Sequence, residues 1–370
     1  MELLPLNPEQ FWNDDKAAHE KNCFSPAAPQ VALGIGMSDE CVFAELGEPG
    51  DPWGHTPAGR RLELNRRYND KAEKIVGKRL LGESFAPPES ALPPVKRIGE
   101  VFGGRYIWQS GTEWLESDIK TPKALEKQLD KTEGLDLRGF MLPDDWEKQR
   151  EIKFERYGTL PGSYHGIRGP VTLACSIYGI ENLIYLIEDE PDLAKRFSGA
   201  IAKVTIEMAE IMDREAGREQ SYGFGFNDDN CCMLNAEMYE FFGAPVLESV
   251  FSRFCPDTRH FRYQHSDSAM EHLLPVLGRF EFHGVNFGPS VTIDKIRRYM
   301  PNTRIDGCLA PFTFMRNDRA QIIAEVKRDC EMAKLYGRGV NIATAGSINN
   351  GSSLESMRAV MWAICEYGRY

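Results

Sequence analysis

Residues 221–268 read SYGFGFNDDNCCMLNAEMYEFFGAPVLESVFSRFCPDTRHFRYQHSDS. A short run rich in aromatics, Ser221 to Phe226, is followed at once by Asn227-Asp228-Asp229-Asn230. An amphipathic run comes next, Ala236 to Ser252, and then a second short run, His260 to His265, that leads into Ser266-Asp267-Ser268. Strand, helix and strand in that order make a βα unit, and here polar residues gather just after each strand.

The alternation continues on both sides of this stretch. Further strands are expected at Ser163 to Ile167, Gly284 to Phe287, Arg304 to Leu309 and Val340 to Thr344. Helices are expected at Asp192 to Ala216, Ser268 to Leu277, Ile293 to Tyr299, Asp318 to Tyr336 and Leu354 to Tyr367. The longest opens just after Pro191 and sets Phe197, Ile201, Val204, Met208 and Ile211 at spacings of three and four, the stripe of a helix that buries one face. Six strands from residue 160 onward leave two to be found earlier. Among the Pro- and Gly-rich loops there, Val31 to Gly36 and Arg105 to Gln109 are the strand candidates and Thr121 to Lys131 is a charged surface helix.

The expected fold is therefore α/β, a (β/α)8 TIM barrel with an irregular N-terminal extension. Residues 1–100 form the extension and contribute to the barrel cover, residues 101–370 form the barrel, and the whole is one structural domain. An open, doubly wound sheet is the competing architecture, but it would carry a G-x-G-x-x-G loop; Gly223-Phe-Gly225 runs instead into Asn227-Asp228-Asp229.

Composition narrows the class of function. The chain has 370 residues, 42% of them hydrophobic and 11% aromatic, enough for a large core. A formal charge of −11 is the wrong sign for a surface that must displace counterions from nucleic-acid phosphates. No apolar run reaches the length of a membrane span and the first residues lack a signal-like apolar stretch, so a cytoplasmic protein is expected. The nine cysteines contain no C-x-x-C and read as reduced thiols.

In a barrel, the polar residues just after the strands face the catalytic mouth. Asp228 and Asp229 follow one strand, and neighbouring carboxylates can hold a metal or divide acid and base roles; Asp229 or Asn230 could equally cap the next helix. His265 ends another strand, as a metal ligand, a general acid or a satisfied core histidine, and Asp267 or Ser268 could cap the helix expected after it. His265, Asp228 and Asp229 are the candidate catalytic residues, with Asp229 and His265 the candidate metal ligands. Tyr164, Arg168, Tyr222, Phe226, Asn227, Asn286 and Phe287 are the candidate substrate contacts, Arg168 as a cation for a carboxylate or phenolate and the aromatic rings as stacking faces.

Gly169-Pro170-Val-Thr-Leu-Ala174, Asp189-Glu190-Pro191, Asp228-Asp229 and His265-Ser266-Asp267 occur in an order that resembles the uroporphyrinogen decarboxylase superfamily over about residues 160 to 365. Members that decarboxylate uroporphyrinogen carry an R-Q-A-G-R segment, which this chain lacks. Corrinoid-dependent methyltransferases that act on thiols resemble one another in a His-x-Cys and a distant Cys on zinc; here the first is His265-Ser266-Asp267, and the late strand ends in Ala-Gly-Ser. The chain is most similar to methyltransferase I of corrinoid-dependent O-demethylases, whose Glu-x14-Glu-x20-His motif it matches in outer spacing, Asp229 to His265; the middle position is Ala244, with Glu240 and Glu248 nearby.

The resemblance implies a methyltransferase of anaerobic metabolism that removes the methyl group of an aromatic methyl ether. The methyl group would pass to the cobalt of a corrinoid (cobalamin) on a separate partner protein, since the chain has no Asp-x-His-x-x-Gly segment. Zinc is the metal implied, and a homodimer is compatible with it. The leaving group of such an ether is a phenolate, whose parent acid has a pKa of about 10, so the site must stabilise developing negative charge. The alternative is a decarboxylase of a smaller carboxylic acid, with Arg168 on a carboxylate and Asp228 assisting protonation.

Overall fold

The computed structural model describes residues 3–54, 56–109, 112–346, 348 and 350–370; Ser347 of the late Ala-Gly-Ser segment lies outside the described residues. The chain divides into two compact units, one of residues up to Phe85, His265–Glu271 and Glu281–Tyr370, the other of Ala86–Gln264 and His272–Phe280.

Among the described residues nine strands are formed: β1 (Ala32–Leu33), β2 (Arg105–Gln109), β3 (Thr112–Glu116), β4 (Gly166–Arg168), β5 (Phe224–Asn227), β6 (Arg262–Ser266), β7 (Gly284–Phe287), β8 (Arg304–Asp306) and β9 (Val340–Ile342). Seven of them make one sheet in the order β1-β9-β8-β7-β6-β5-β4. Of the two strands expected before residue 160, only β1 joins it. Arg105–Gln109 is a strand as expected, but it folds back on β3 as an antiparallel pair with Arg105 opposite Glu116 and Gln109 opposite Thr112. A nearby partner two residues away along the chain is entropically cheaper to reach than a distant sheet edge.

In the first unit β1, β9, β8 and β7 pair in parallel, with Leu33 opposite Ile342, Ile305 opposite Val340 and Val285 opposite Ile305. The helix Arg319–Tyr336 starts where the Asp318 carboxylate accepts from the Gln321 N–H, and Leu354–Tyr367 starts where Ser353 does the same for Ser356. These two helices pack together, and the second also packs on Ala58–Val76. Its buried stripe is Leu354, Met357, Val360, Met361 and Ile364.

The strand interiors of this unit are not purely aliphatic. Arg304 and Asp306, two apart on β8 and so on one side of it, form a two-pronged ion pair at 2.8 Å, and Asn341 on β9 donates to the same carboxylate at 2.9 Å. Gly34 leaves the space, since a Cβ there would lie 2.5 Å from the Asn341 amide nitrogen.

Residues just after the first helix, Pro8–Ala18, plug the starts of these strands. Lys21, Asn22 and Cys23 all take left-handed backbone angles, with φ of 52°, 56° and 65°. Asn22 donates to the carbonyl of His283, just before β7, and accepts from Arg304 at the start of β8. The Cys23 carbonyl accepts from the N–H of Gly339, just before β9. Gly339 has φ of 85°, and a Cβ there would sit 2.1 Å from the Phe24 ring.

In the second unit β4 and β5 pair in parallel, Ile167 opposite Phe226 and Arg168 opposite Asn227. The helix Pro191–Glu215 buries Phe197, Ile201, Val204, Met208 and Ile211, the stripe expected from spacing. The helix expected over Ala236 to Ser252 is two, Ala236–Phe242 and Ala244–Phe254. Pro245 has no N–H to continue the first, and at Gly243 a Cβ would strike the Tyr239 ring at 2.6 Å. The segment expected as a helix over Ser268 to Leu277 shortens to a 3-10 turn, Glu271–Leu273, and the single turn Leu274–Leu277. All nine cysteines are free thiols. Among the described residues no single helix is long and apolar enough to cross a membrane.

Candidate active site

His265 is the next-to-last residue of β6 and is half-buried. Its Nδ1 lies 2.8 Å from the side-chain oxygen of Asn286. Asn286, on β7, is itself buried and bonded on every side. Its Nδ2 donates to the carbonyls of Asp306 and Thr344, the second at 3.0 Å, and its Oδ1 also accepts from the Gly346 N–H at 2.8 Å. Two carbonyls can only accept, so the end that meets them is the NH2 end and the end facing His265 is the oxygen. An oxygen can only accept in turn. His265 therefore carries its hydrogen on Nδ1, and in the neutral ring the lone pair is on Nε2.

Asp267 follows two residues later and is exposed. One ligand atom each of His265 and Asp267 lie within 4.8 Å of one another. Gly346 has φ of 84°, and a Cβ there would sit 2.8 Å from the Asp267 carboxylate. One glycine thus supplies an N–H to Asn286 and room for Asp267. The sequence offers Asp267 as a possible cap and as the residue standing where thiol-specific relatives have the cysteine of His-x-Cys; the His-x-Asp spacing also sets the two side chains on one side of an extended segment.

In the second unit, Asp228 and Asp229 follow β5. Asp228 is wholly buried, and its Oδ1 accepts from the Thr172 N–H at 2.8 Å in the first turn of the helix Pro170–Tyr178. Burial pushes its carboxyl up to about 7, with Asp229 adding to the rise and the Thr172 hydrogen bonds opposing it. The approach is close: a Cβ on Gly169 would lie 2.2 Å from that of Asp228. Asp228 thus ties β5 to a helix start. Asp229 is half-buried and opens the 3-10 turn Asp229–Met233.

Arg168, last residue of β4, is half-buried and donates to the Ser176 hydroxyl at 3.2 Å. Tyr164 is half-buried, its hydroxyl accepts from the Ile98 N–H at 3.0 Å, and burial pushes its pKa up to about 12. The hairpin brings an arginine that sequence reasoning missed: Arg97 lies flat over the Tyr106 ring, 3.3 Å from its centre, and pairs with Glu113. Asn227 is exposed at the end of β5, its carbonyl accepting from the Gly169 N–H.

Three expected substrate contacts are placed elsewhere. Phe226 and Phe287 are buried to 1% and 0% exposure; the Phe226 ring packs on Phe224 and Phe251, so both rings belong to the core. Tyr222 lies before β5, since the strand begins at Phe224, and stacks on His260, which lies before β6. That is the starting end of the strands, opposite to the end where Asp228 and Asp229 follow β5.

A family model described as uroporphyrinogen decarboxylase (URO-D) matches residues 165–367, more than half of the chain. The chain belongs to the URO-D family. The superfamily expected from the order of short motifs is thereby borne out, and with it the α/β barrel fold class. No curated protein matches the chain. Among solved structures the URO-D chain is similar in fold to a methyltransferase from Methanosarcina mazei, with 17% identity, a TM-score of 0.57, and cover of 93% of this chain and 95% of the other.

Proposed function

We propose that this URO-D family member is a methyltransferase that takes the methyl group of an aromatic methyl ether and passes it to a corrinoid carried by a separate protein. The observation that carries the reading is the fixed His265 ring, whose Nδ1–H is committed to Asn286 so that Nε2 is the donor nitrogen. Fixing one ring nitrogen through a buried partner is how a metal-binding imidazole is oriented. Likeness in fold to a methyltransferase supports the class of reaction.

Imidazole nitrogen with carboxylate oxygen is a donor set that suits zinc. His265 and Asp267, with Asp229 from the sequence expectation, would hold the ion. Bound zinc supplies Lewis acidity toward the ether oxygen as it becomes a phenolate. The corrinoid supplies the methyl acceptor. The chain's own residues do the positioning: Asn286 holds the His265 ring, and Arg168 offers a cation to a polar substituent of the ether.

The family's description favours a second reading, decarboxylation of a smaller acid held by Arg168. In that reading Asp228 would assist protonation, but it is wholly buried, with one carboxylate oxygen on the Thr172 N–H.

The test incubates the purified protein with a reduced corrinoid protein and a panel of aryl methyl ethers, with and without zinc, and follows the corrinoid absorbance. Methyl transfer that needs zinc and is lost in His265→Ala and Asp267→Ala is the expected result. Carbon dioxide release from a carboxylic acid with no corrinoid present would replace this reading with the second.

A further inference from the structure

A cleft of about 550 Å3 opens in the first unit between the helix Pro8–Ala18, the residues after β1 and the segment Lys78–Leu80. Its floor is apolar, with Leu33, Ile35 and Met357 almost wholly buried beneath it. Trp12 forms a wall; its indole N–H is tied to the Val76 carbonyl at 2.7 Å, and the Lys78 ammonium lies 4.4 Å from its ring centre. At Gly36 a side chain would meet nothing within 4 Å, so the space is open there.

Most of the charged groups around the cleft are already paired. Asp15 is already used, its Oδ1 accepting from the Leu33 N–H at 2.7 Å and its Oδ2 facing His19 Nε2 at 3.5 Å. Arg79 is held by three carboxylates, Asp70, Glu73 and Glu83. Lys16 and Lys78 remain, and neither pairs with a carboxylate among the described residues. Two lysines without a carboxylate partner at one cleft offer an anion donors that no ion pair has to release.

We propose that this cleft binds a phosphate monoester of an aromatic or nucleoside body, the phosphate on Lys16 and Lys78 and the body against Trp12 and the apolar floor. Two lysines match the two charges of a phosphate monoester better than the single charge of a carboxylate. A cavity of this volume, with an apolar floor and a few charged groups at one side, is of small-molecule size. The site is separate from the residues assigned to methyl transfer and does not depend on that assignment.

Isothermal titration calorimetry with adenosine monophosphate and phenyl phosphate, against adenosine and inorganic phosphate, tests it. The expected result is saturable one-to-one binding of a monoester, with adenosine and inorganic phosphate each weaker by about tenfold or more, and weakening on adding salt. The double substitution Lys16→Ala with Lys78→Ala removes exposed side chains only, so the far-UV spectrum and Tm should hold while monoester affinity falls about tenfold or more. Failure of both monoesters to saturate, or binding unchanged in the double variant, would overturn the proposal. Inorganic phosphate binding as tightly as the monoesters would remove the aromatic body from it.

Discussion

Asn286 decides which nitrogen of His265 bears the hydrogen: its Oδ1 accepts from Nδ1 at 2.8 Å while its Nδ2 is held by the carbonyls of Asp306 and Thr344. Removing the amide should therefore disturb the ring without touching it. Asn286→Ala is expected to weaken zinc binding by about 10- to 100-fold and to slow methyl transfer comparably. Competition with a colorimetric zinc chelator reads the affinity directly, and an unchanged zinc affinity would separate Asn286 from the metal site. Because the Asp306 and Thr344 carbonyls lose their donor, Tm should fall as well.

Gly346 has to be a glycine for two reasons that act together, its φ of 84° and the Asp267 oxygen 2.8 Å from where a Cβ would stand. Gly346→Ala should cost about 1–2 kcal/mol of stability in a denaturant melt through the backbone alone. It should also lower activity more than that loss of stability explains, because the displaced carboxylate is Asp267. Full activity at temperatures well below the variant's Tm would show that Asp267 has no part in the reaction.

Asp228 sets a pH dependence with a definite sign. Burial raises its carboxyl to about 7 in the fold, against about 3.9 in an unfolded chain. The folded state holds the proton more tightly, so the stability this group contributes is full below about pH 4 and is lost as pH rises through about 7. Asp228→Asn keeps an oxygen for the Thr172 N–H and does not titrate. Thermal melts should place the variant level with the parent at acid pH and above it at about pH 8; two parallel profiles would contradict the assignment.

Gly339 tests the N-terminal plug. The Phe24 ring stands 2.1 Å from where a Cβ would be, and φ is 85°. Gly339→Ala should destabilise the first unit by about 2 kcal/mol or more, by strain and by expelling the ring. Phe24→Ala combined with it should relieve part of the clash, so a double-mutant cycle should show coupling. Strictly additive losses would mean that the two residues do not meet.

How much of this was legible in the sequence depended on how local each feature is. Gly284–Phe287, Ile293–Tyr299 and Leu354–Tyr367 fall where the pattern put them, because their boundaries are set by their own residues. Arg105–Gln109 was legible as a strand but not in its pairing, which the nearness of Thr112–Glu116 along the chain decided. The start of β5 at Phe224 rather than Ser221 moved Tyr222 to the other end of the strands. Phe226 and Phe287 stand at strand ends, yet sequence alone does not say that a ring there turns into the core. His265 could be found because it ends a strand. Its dependence on Asn286 could not, since that link joins residues 21 apart and appears only once two strands and Gly346 have met.

The pairing of β1 with β9 sets an order of events during synthesis. Ala32 and Leu33 hydrogen-bond to partners at Asn341 and Ile342, which leave the ribosome about 15–60 s later at ordinary elongation rates. Throughout that interval the earliest strand has an open edge and the plug after the first helix has nothing to close. The first unit can be completed only from its last-made end, so a nascent chain stalled before residue 340 would leave the start of the protein as its least protected part, open to chaperones and proteases.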